Sequence, residues 1–555
     1  MRIEVQPAAW ALVGAIAIAA VCFANSIPND FVLDDYQIVA VNPAIRTIAP
    51  LRLLTSPYWG NTDAGIYRPL TILSFSIEYP FWKRWAGGYR MVNLFLHAIN
   101  GFLIFLLARR LFQPASAAWA ASAIYLVHPA HTEAVVALIG RGELLAAMFF
   151  LLAWLLFRDK RALLGGAAFF LSLLSKENAI VFPAVMVLDT WISEGNFRNV
   201  IAGWKRFASI AAAAGVYLGL RVWVLGGIGI ARTAQYLGGS WTLLQRELTS
   251  GRAFLKYFQL LIAPIDMAGD YDFNSIPLAN INDWVAWLGV LLVLATIILA
   301  VAIVKRQPTL GFGILFFYLT MLPVSNWIVP TSVIMAERHL YLPSLGICLI
   351  AGMAWASVSN IGIRKLLAAG VMTIAVLLCI AHNYIWRDNL SFYGNVVRVL
   401  PNNARGRQGY GVALMEAGRV LDARDQFEAG LQIRRDAPQL VGMAGALMQL
   451  ERGCAASRAM LSEALTIQPH DPFAQWLLGK CFERDGDIAR AEQTYRTAIR
   501  TTAFPDPRLL FDWGVALERL GKPSEALDAY RRAVLLDPAD ALIQSRLARL
   551  VTAQR

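Results

Sequence analysis

Residues 284–306 read WVAWLGVLLVLATIILAVAIVKR, with no charge ahead of Lys305-Arg306. At about 1.5 Å per residue, a helix of this length crosses a hydrocarbon core of about 30 Å. Working outward, apolar stretches of the same kind, some shortened by polar interruptions, recur over residues 8–386. Eleven spans are expected, centred near residues 16, 101, 122, 149, 167, 186, 216, 294, 316, 348 and 375. Basic clusters at Arg109-Arg110, residues 158–161, Lys205-Arg206, Lys305-Arg306 and Arg364-Lys365 follow spans two, four, six, eight and ten. All five therefore share one face, the cytoplasmic one under the positive-inside rule. The other face receives a long loop (26–90), the turn at 128–133, a second long loop (225–283) and the tail.

Composition agrees. Of 555 residues, 57% are hydrophobic and only 16% charged, against about 25% charged in soluble domains. A soluble cytosolic enzyme, a disordered chain and a fibrous protein are all excluded. The net charge of +12 sits largely in short pairs at the ends of apolar runs, a topology signal and not a nucleic-acid surface. The first apolar run, residues 10–23, has a weak basic start and no convincing small-residue cleavage site, so a retained first span is expected. Cys22, Cys348, Cys379, Cys454 and Cys481 show neither disulfide framework nor zinc spacing.

After Trp386 the hydropathy collapses and a new period begins. Gly411, Gly445, Gly479 and Gly514 recur at 34, 34 and 35 residues. Phe427, Leu461, Tyr495 and Tyr530 keep the same period, as do Gly430, Ala464, Ala498 and Ala533. Paired helices in a unit of about 34 residues, with small residues where they touch and an aromatic between them, are the tetratricopeptide signature. Four repeats over about 404–538 and a covering helix from 539 to about 549 make a short solenoid with a concave groove. The expected fold is all-α: a multi-span membrane domain over 1–395 and a repeat domain over 396–555, the latter on the non-cytoplasmic side.

Several polar groups interrupt the membrane face. Asp34-Asp35 closely follow span one; adjacent carboxylates repel unless a cation, an arginine or a substrate compensates. They are candidates for a general base or for a divalent-cation site, although Asp pairs also begin turns. His128 and His131, with Glu133, could bind a metal on one helical face, but Pro129 disfavours a regular helix, and polar packing of a turn is the stronger reading. Lys176-Glu177 interrupts apolar sequence, and Glu337-Arg338-His339 with Tyr341 opens span ten. Charge at membrane depth is costly unless paired or lining a wet cavity. By the span count Asp34, Asp35, Arg68, His131, Glu133, Arg141, Lys176 and Arg338 share the outer face, a set suited to a phosphorylated lipid headgroup.

Six ordered blocks carry a resemblance: FVLDDYQIVAVNPAIR (31–46), YRPL (67–70), YRMVNLFLHAIN (89–100), HPAHTEAVVALIGRGEL (128–144), LLSKENAIVFP (173–183) and MAERHLYLPSLG (335–346). With the repeats they make the chain resemble the transmembrane and tetratricopeptide-containing O-mannosyltransferases and their bacterial relatives, of the GT-C glycosyltransferase superfamily. The resemblance implies transfer of a sugar from a polyprenyl-phosphate carrier on the non-cytoplasmic side, often to a protein hydroxyl. It implies a catalytic acidic residue at Asp34 or Asp35, and a lipid phosphate held by Arg68, Arg141, Lys176 and Arg338. His128, His131, Glu133, Glu177 and Tyr341 fall in the same blocks as further substrate-binding candidates. The chain departs from the family at Gly142-Glu143, where relatives have a GRKD-like run, and at Glu337-Arg338-His339, where they have Asp-Arg-Tyr. Both departures keep charge.

The mechanism implied is a single inverting displacement: an aspartate takes the acceptor proton and cations neutralise the departing phosphate. The partners expected are the lipid-linked donor, membrane lipid, and a protein or glycan acceptor held by the repeat groove. Two rivals are an oligosaccharide ligase or polymerase acting on glycan, and a non-enzymatic scaffold whose outer-face charges are individually dispensable. A bacterial inner membrane with periplasmic repeats is the expected location, and the endoplasmic reticulum membrane fits the same topology.

Overall fold

The computed structural model describes residues 5–59, 65–111, 114–195, 207–227, 241–272, 275–331, 333–450, 454–502 and 505–553. Among them every regular element is a helix. The basic pair Lys205-Arg206 and parts of both long loops lie outside the described residues.

Each expected span centre falls inside a helix: Val5–Phe23, Ala86–Arg110, Ala115–Val127, Arg141–Arg158, Ala162–Ser175, Phe182–Glu194, Ala208–Leu225, Trp284–Ile303, Pro308–Met321, Ser344–Ala356 and Ile361–Ile385. Among the described residues six stretches are long and apolar enough to cross a membrane alone: Ala9–Ser26, Ala86–Ala108, Leu138–Arg158, Ala208–Leu225, Trp284–Ile303 and Ile361–Ile385. The chain is a multi-pass membrane protein. The shorter apolar helices have local causes. Ala115–Val127 stops before His128-Pro129, since a residue preceding proline is pushed out of the α region. Ala162–Ser175 stops at Lys176, which is extended.

Contacts divide the chain into two units. The first comprises Met1–Asp35 and Ala44–Phe392, the second Tyr36–Pro43 and Tyr393–Arg555. In the first, helices approach through small residues. A Cβ on Gly289 would fall 2.1 Å from the Gly251 carbonyl oxygen, and one on Gly346 would fall 2.2 Å from that of Gly313. Such backbone-to-backbone crossings are how membrane helices gain packing without a hydrophobic driving force. A polar seam on Ala86–Arg110 does the rest: Asn93, His97 and Asn100, spaced to share one helix face, are all fully buried. Their side chains engage the carbonyls of Val135, Leu126 and Leu144 at 3.0–3.1 Å.

The long loops carry structure that hydropathy alone does not announce. Pro50–Leu54 and Pro69–Trp82 are helices in the first. In the second lies Leu243–Ile262, opened by a capping box between Thr242 and Gln245 that satisfies two orphan backbone donors.

In the second unit four helix pairs follow the expected period: 404–416 with 420–433, 437–450 with 455–467, 472–484 with 488–501, and 507–519 with 523–536, closed by Ala541–Ala553. Gly411, Gly479 and Gly514 lie under the rings of Phe427, Tyr495 and Tyr530, where an added Cβ would come within 2.5–2.6 Å of ring carbon. Gly445 differs: its partner position holds Leu461, and an added Cβ would meet nothing nearer than 3.6 Å.

Candidate active site

Four ion pairs bring the candidate charges into contact, and each ties segments far apart in sequence. Arg68, just ahead of the helix Pro69–Trp82, is bidentate to Glu177: Nε donates to Oε2 at 2.9 Å and Nη2 to Oε1 at 2.5 Å. Lys176 pairs with Glu143, Arg338 with Glu133, and Arg141 with Glu78. Burial disfavours charge on both members of the Arg68–Glu177 pair, but their attraction outweighs it and holds the Glu177 carboxyl well below its ordinary range. A planar fork meeting a carboxylate is among the strongest hydrogen-bonded pairs available to side chains.

Three of the cations act on one another. Burial pulls the Lys176 ammonium below its ordinary value; Glu143 opposes this, while Arg68 and Arg338 add to it. His339, buried in the turn Glu337–Leu340, is held well below its ordinary value by burial and then by Lys176, Arg338 and Arg68. A neutral imidazole thus stands among three positive charges, with its Nδ1 3.2 Å from the Tyr257 hydroxyl. The Arg68 guanidinium also lies 5.5 Å above the ring of buried Tyr58.

The two loop aspartates separate sharply. Leu33 has φ +54°, a left-handed conformation unusual for a bulky residue, and its N–H donates to Asn389 Oδ1 at 3.0 Å. This turn leaves Asp34 exposed and Asp35 with no exposed surface. The Asp34 charge reaches both Arg338 and Tyr58. Asp35 Oδ1 accepts from the Ile139 N–H at 3.0 Å, two residues before Arg141, while Oδ2 is buried without a hydrogen-bond partner. Burial pushes the Asp35 carboxyl up to about 6, with Arg90 and backbone N–H groups opposing.

Other candidates are enclosed. Arg141 is completely buried, and all its N–H groups are engaged: by Asn93, Ser74, Glu78 twice and the Tyr89 carbonyl. It has no donor left for a ligand. The Tyr341 hydroxyl sits between His97 Nδ1 at 2.8 Å and Asn100 at 3.0 Å, and Tyr341 is fully buried. His131 bridges the Tyr125 carbonyl and Ser344 Oγ, each at 2.9 Å, and His128 Nε2 lies 3.2 Å from the Leu261 carbonyl. Among the described residues no group of three or more His, Cys, Asp or Glu side chains is arranged to hold a metal ion, so Asp34-Asp35 and His128-His131-Glu133 lack a completed ligand set.

The structure thus links Asp34, Arg68, Glu133, Lys176, Glu177 and Arg338 in one electrostatic cluster, and seats Arg141, His131 and Tyr341 in packed surroundings. Sequence reasoning did not single out Glu78, Tyr58 or Asn93. Glu78 did leave a signal, as the one charged residue inside the helix Pro69–Trp82.

Tetratricopeptide-repeat family models match residues 442–506 and 507–540. Three curated relatives align over much of the chain. Human protein O-mannosyl-transferase TMTC4 is 28% identical over 75% of this chain, the Caenorhabditis elegans protein O-mannosyl-transferase F38B6.6 is 26% identical over 74%, and mouse protein O-mannosyl-transferase TMTC3 is 24% identical over 96%. The chain is a distant relative of these proteins. It spans 61–65% of their own length. A tetratricopeptide protein of Thermus thermophilus aligns over 32% of this chain and 95% of its own, at 18% identity and a TM-score of 0.27.

Proposed function

We propose that this chain is a GT-C-type membrane glycosyltransferase that moves a sugar from a polyprenyl-phosphate carrier to an acceptor hydroxyl, a protein Ser or Thr, on the non-cytoplasmic face. The observation that carries the reading is the trio Arg68, Lys176 and Arg338, each steadied by its own glutamate and gathered round neutral His339, with the exposed Asp34 charge beside it. Cations held in fixed geometry, Lys176 buried and Arg68 and Arg338 partly so, stabilise charge that develops on a departing phosphate without reorganising.

In this mechanism the acceptor oxygen attacks the anomeric carbon, the carbon–phosphate oxygen bond breaks, and the electron pair leaves on the lipid phosphate. Asp34 takes the acceptor proton, and one in-line displacement inverts the anomeric centre. Asp34 is preferred to Asp35 because a base must reach solvent-delivered substrate; Asp35 is enclosed and positions the loop through Ile139. Arg68, Lys176 and Arg338 neutralise the phosphate, while Arg141 keeps the neighbouring helices in place. Asp34 acts here as the base, and no step is routed through a metal.

The topology belongs to the same proposal: eleven crossings, basic ends inside, and a membrane domain over about 1–395 followed by repeats over 396–555 on the outer side, periplasmic in a bacterial inner membrane. The repeats then recruit an extended acceptor. The test is transfer from a panel of radiolabelled polyprenyl-phosphate sugars by the purified full-length protein in lipid. Label entering a protein fraction supports the reading. Label entering only glycan favours a ligase or polymerase, and the absence of transfer from every donor refutes it.

A further inference from the structure

One piece of the repeat unit does not come from the repeats. Tyr36–Pro43, drawn from the first long loop, clusters with Tyr393–Arg555. Its sequence is YQIVAVNP, and Ile38, Val39, Ala40 and Val41 are all buried, Val39 completely; Asn42 is buried too. Tyr36–Ala40 form a single wide turn in which the Val41 N–H donates to the Tyr36 carbonyl at 3.1 Å. Wide turns of this kind are rare and concentrate at functional positions. A turn of five residues has no interior of its own, so four consecutive buried apolar side chains need a surface supplied by other elements.

One contact region is identified. Arg508, at the start of the helix Pro507–Arg519, lies within electrostatic reach of both Tyr36 and Glu416. Glu416 closes the first helix of the first repeat, and Arg508 opens the first helix of the fourth. Helices that far apart in a solenoid look at one another across its inner curve, the face such proteins use for extended ligands. Arg508 is itself fixed there, donating to Asp506 at 3.0 and 2.8 Å and lying 5.7 Å over the ring of Trp476.

We infer that residues 36–43 are an in-chain ligand of the tetratricopeptide repeats, seated on their inner face, so that the repeats grip the loop directly after Asp34-Asp35. The occupant is a short β-branched apolar stretch closed by a buried asparagine. An acceptor peptide using the same face has to displace it, and the displacement reaches Asp34 two peptide bonds from Tyr36. This last consequence rests on the function proposed above; the grip itself does not.

The test uses the full-length protein in lipid nanodiscs with p-benzoylphenylalanine in place of the exposed Tyr36. Irradiation, digestion and mass spectrometry should give adducts with peptides from residues 404–519. Adducts confined to residues 44–392 or to lipid, or no adduct with the repeats, overturn the inference. A second readout is hydrogen exchange in the Ile38→Asp/Val39→Asp double variant. Exchange in the first helices of the repeats should be at least tenfold faster, and unchanged exchange there counts against the grip. If the adduct forms while Asp34→Asn still transfers sugar at the wild-type rate, the base assignment falls and the grip stands.

Discussion

Replacing Asp35 with asparagine should stabilise the protein at neutral pH. Asp35 has no exposed surface; its Oδ1 accepts one N–H from Ile139, a bond asparagine can also accept, and its Oδ2 is buried and unpartnered. Burial moves the carboxyl from its ordinary 3.8 to about 6. Between about pH 4 and pH 6 the folded protein therefore holds a proton that the unfolded chain releases, so stability falls as pH rises through that window and the loss is complete above it. At about 1.4 kcal/mol per tenfold change, the loss is about 3 kcal/mol. Asp35→Asn carries no titrating proton and escapes it. Equilibrium denaturation of the full-length protein in detergent micelles from pH 4 to pH 8 should show the two proteins equal at the acid end. The variant should then gain progressively, to about 3 kcal/mol by pH 7. Curves that stay parallel across the range, or an asparagine variant less stable at pH 7, would refute the reasoning.

Other expectations follow from the same geometry. Glu78→Gln leaves the enclosed Arg141 guanidinium without its carboxylate and should cost about 3–5 kcal/mol by the same denaturation measurement; wild-type stability would mean that Arg141 is not held as described. Gly479→Ala drives a Cβ to 2.5 Å from the Tyr495 ring and should cost about 1–3 kcal/mol, whereas Gly445→Ala meets only ordinary contacts and should be neutral or stabilising by up to about 1 kcal/mol. Equal effects at the two glycines would contradict the packing. Glu177→Gln releases Arg68 from its bidentate partner and, on the role proposed for Arg68 against charge developing on the phosphate, should lower kcat for the lipid-linked donor at least as much as it raises KM; unchanged kinetics would argue that Arg68 does not face the donor.

The repeats were legible because their packing is local: the glycine and the ring it meets lie 16 residues apart, at Gly411 and Phe427, Gly479 and Tyr495, Gly514 and Tyr530. The one departure, Gly445, was also written in the sequence as Leu461 in place of an aromatic. The apolar helices were legible from hydropathy, since a bilayer leaves backbone groups no partner but the helix. The amphipathic helix Leu243–Ile262 was not, because its residues alternate between apolar and polar faces and average out.

The charged cluster proposed as the site was legible in its residue types but not in its pairings. Glu177 with Arg68 and Glu133 with Arg338 join residues 109 and 205 positions apart, and no periodicity announces such partners. Arg68 and Arg141 look alike in sequence. They differ because Arg141 lies at the start of a helix enclosed by Ser74, Glu78, Tyr89 and Asn93, which only tertiary packing decides. Asp34 and Asp35 differ through the left-handed turn at Leu33, a conformation for which leucine gives no warning. Residues 36–43 group with a unit whose other residues begin at Tyr393, a long-range association that no local pattern announces.

The most direct measurement is transfer of radiolabelled sugar from a polyprenyl-phosphate donor to protein in proteoliposomes, comparing wild type, Asp34→Asn and Asp35→Asn at matched folded concentrations. The account predicts label in protein with the wild type and with Asp35→Asn, and a loss of at least about 100-fold with Asp34→Asn. Wild-type transfer by Asp34→Asn, or no transfer from any lipid-linked sugar by the wild type, would contradict it.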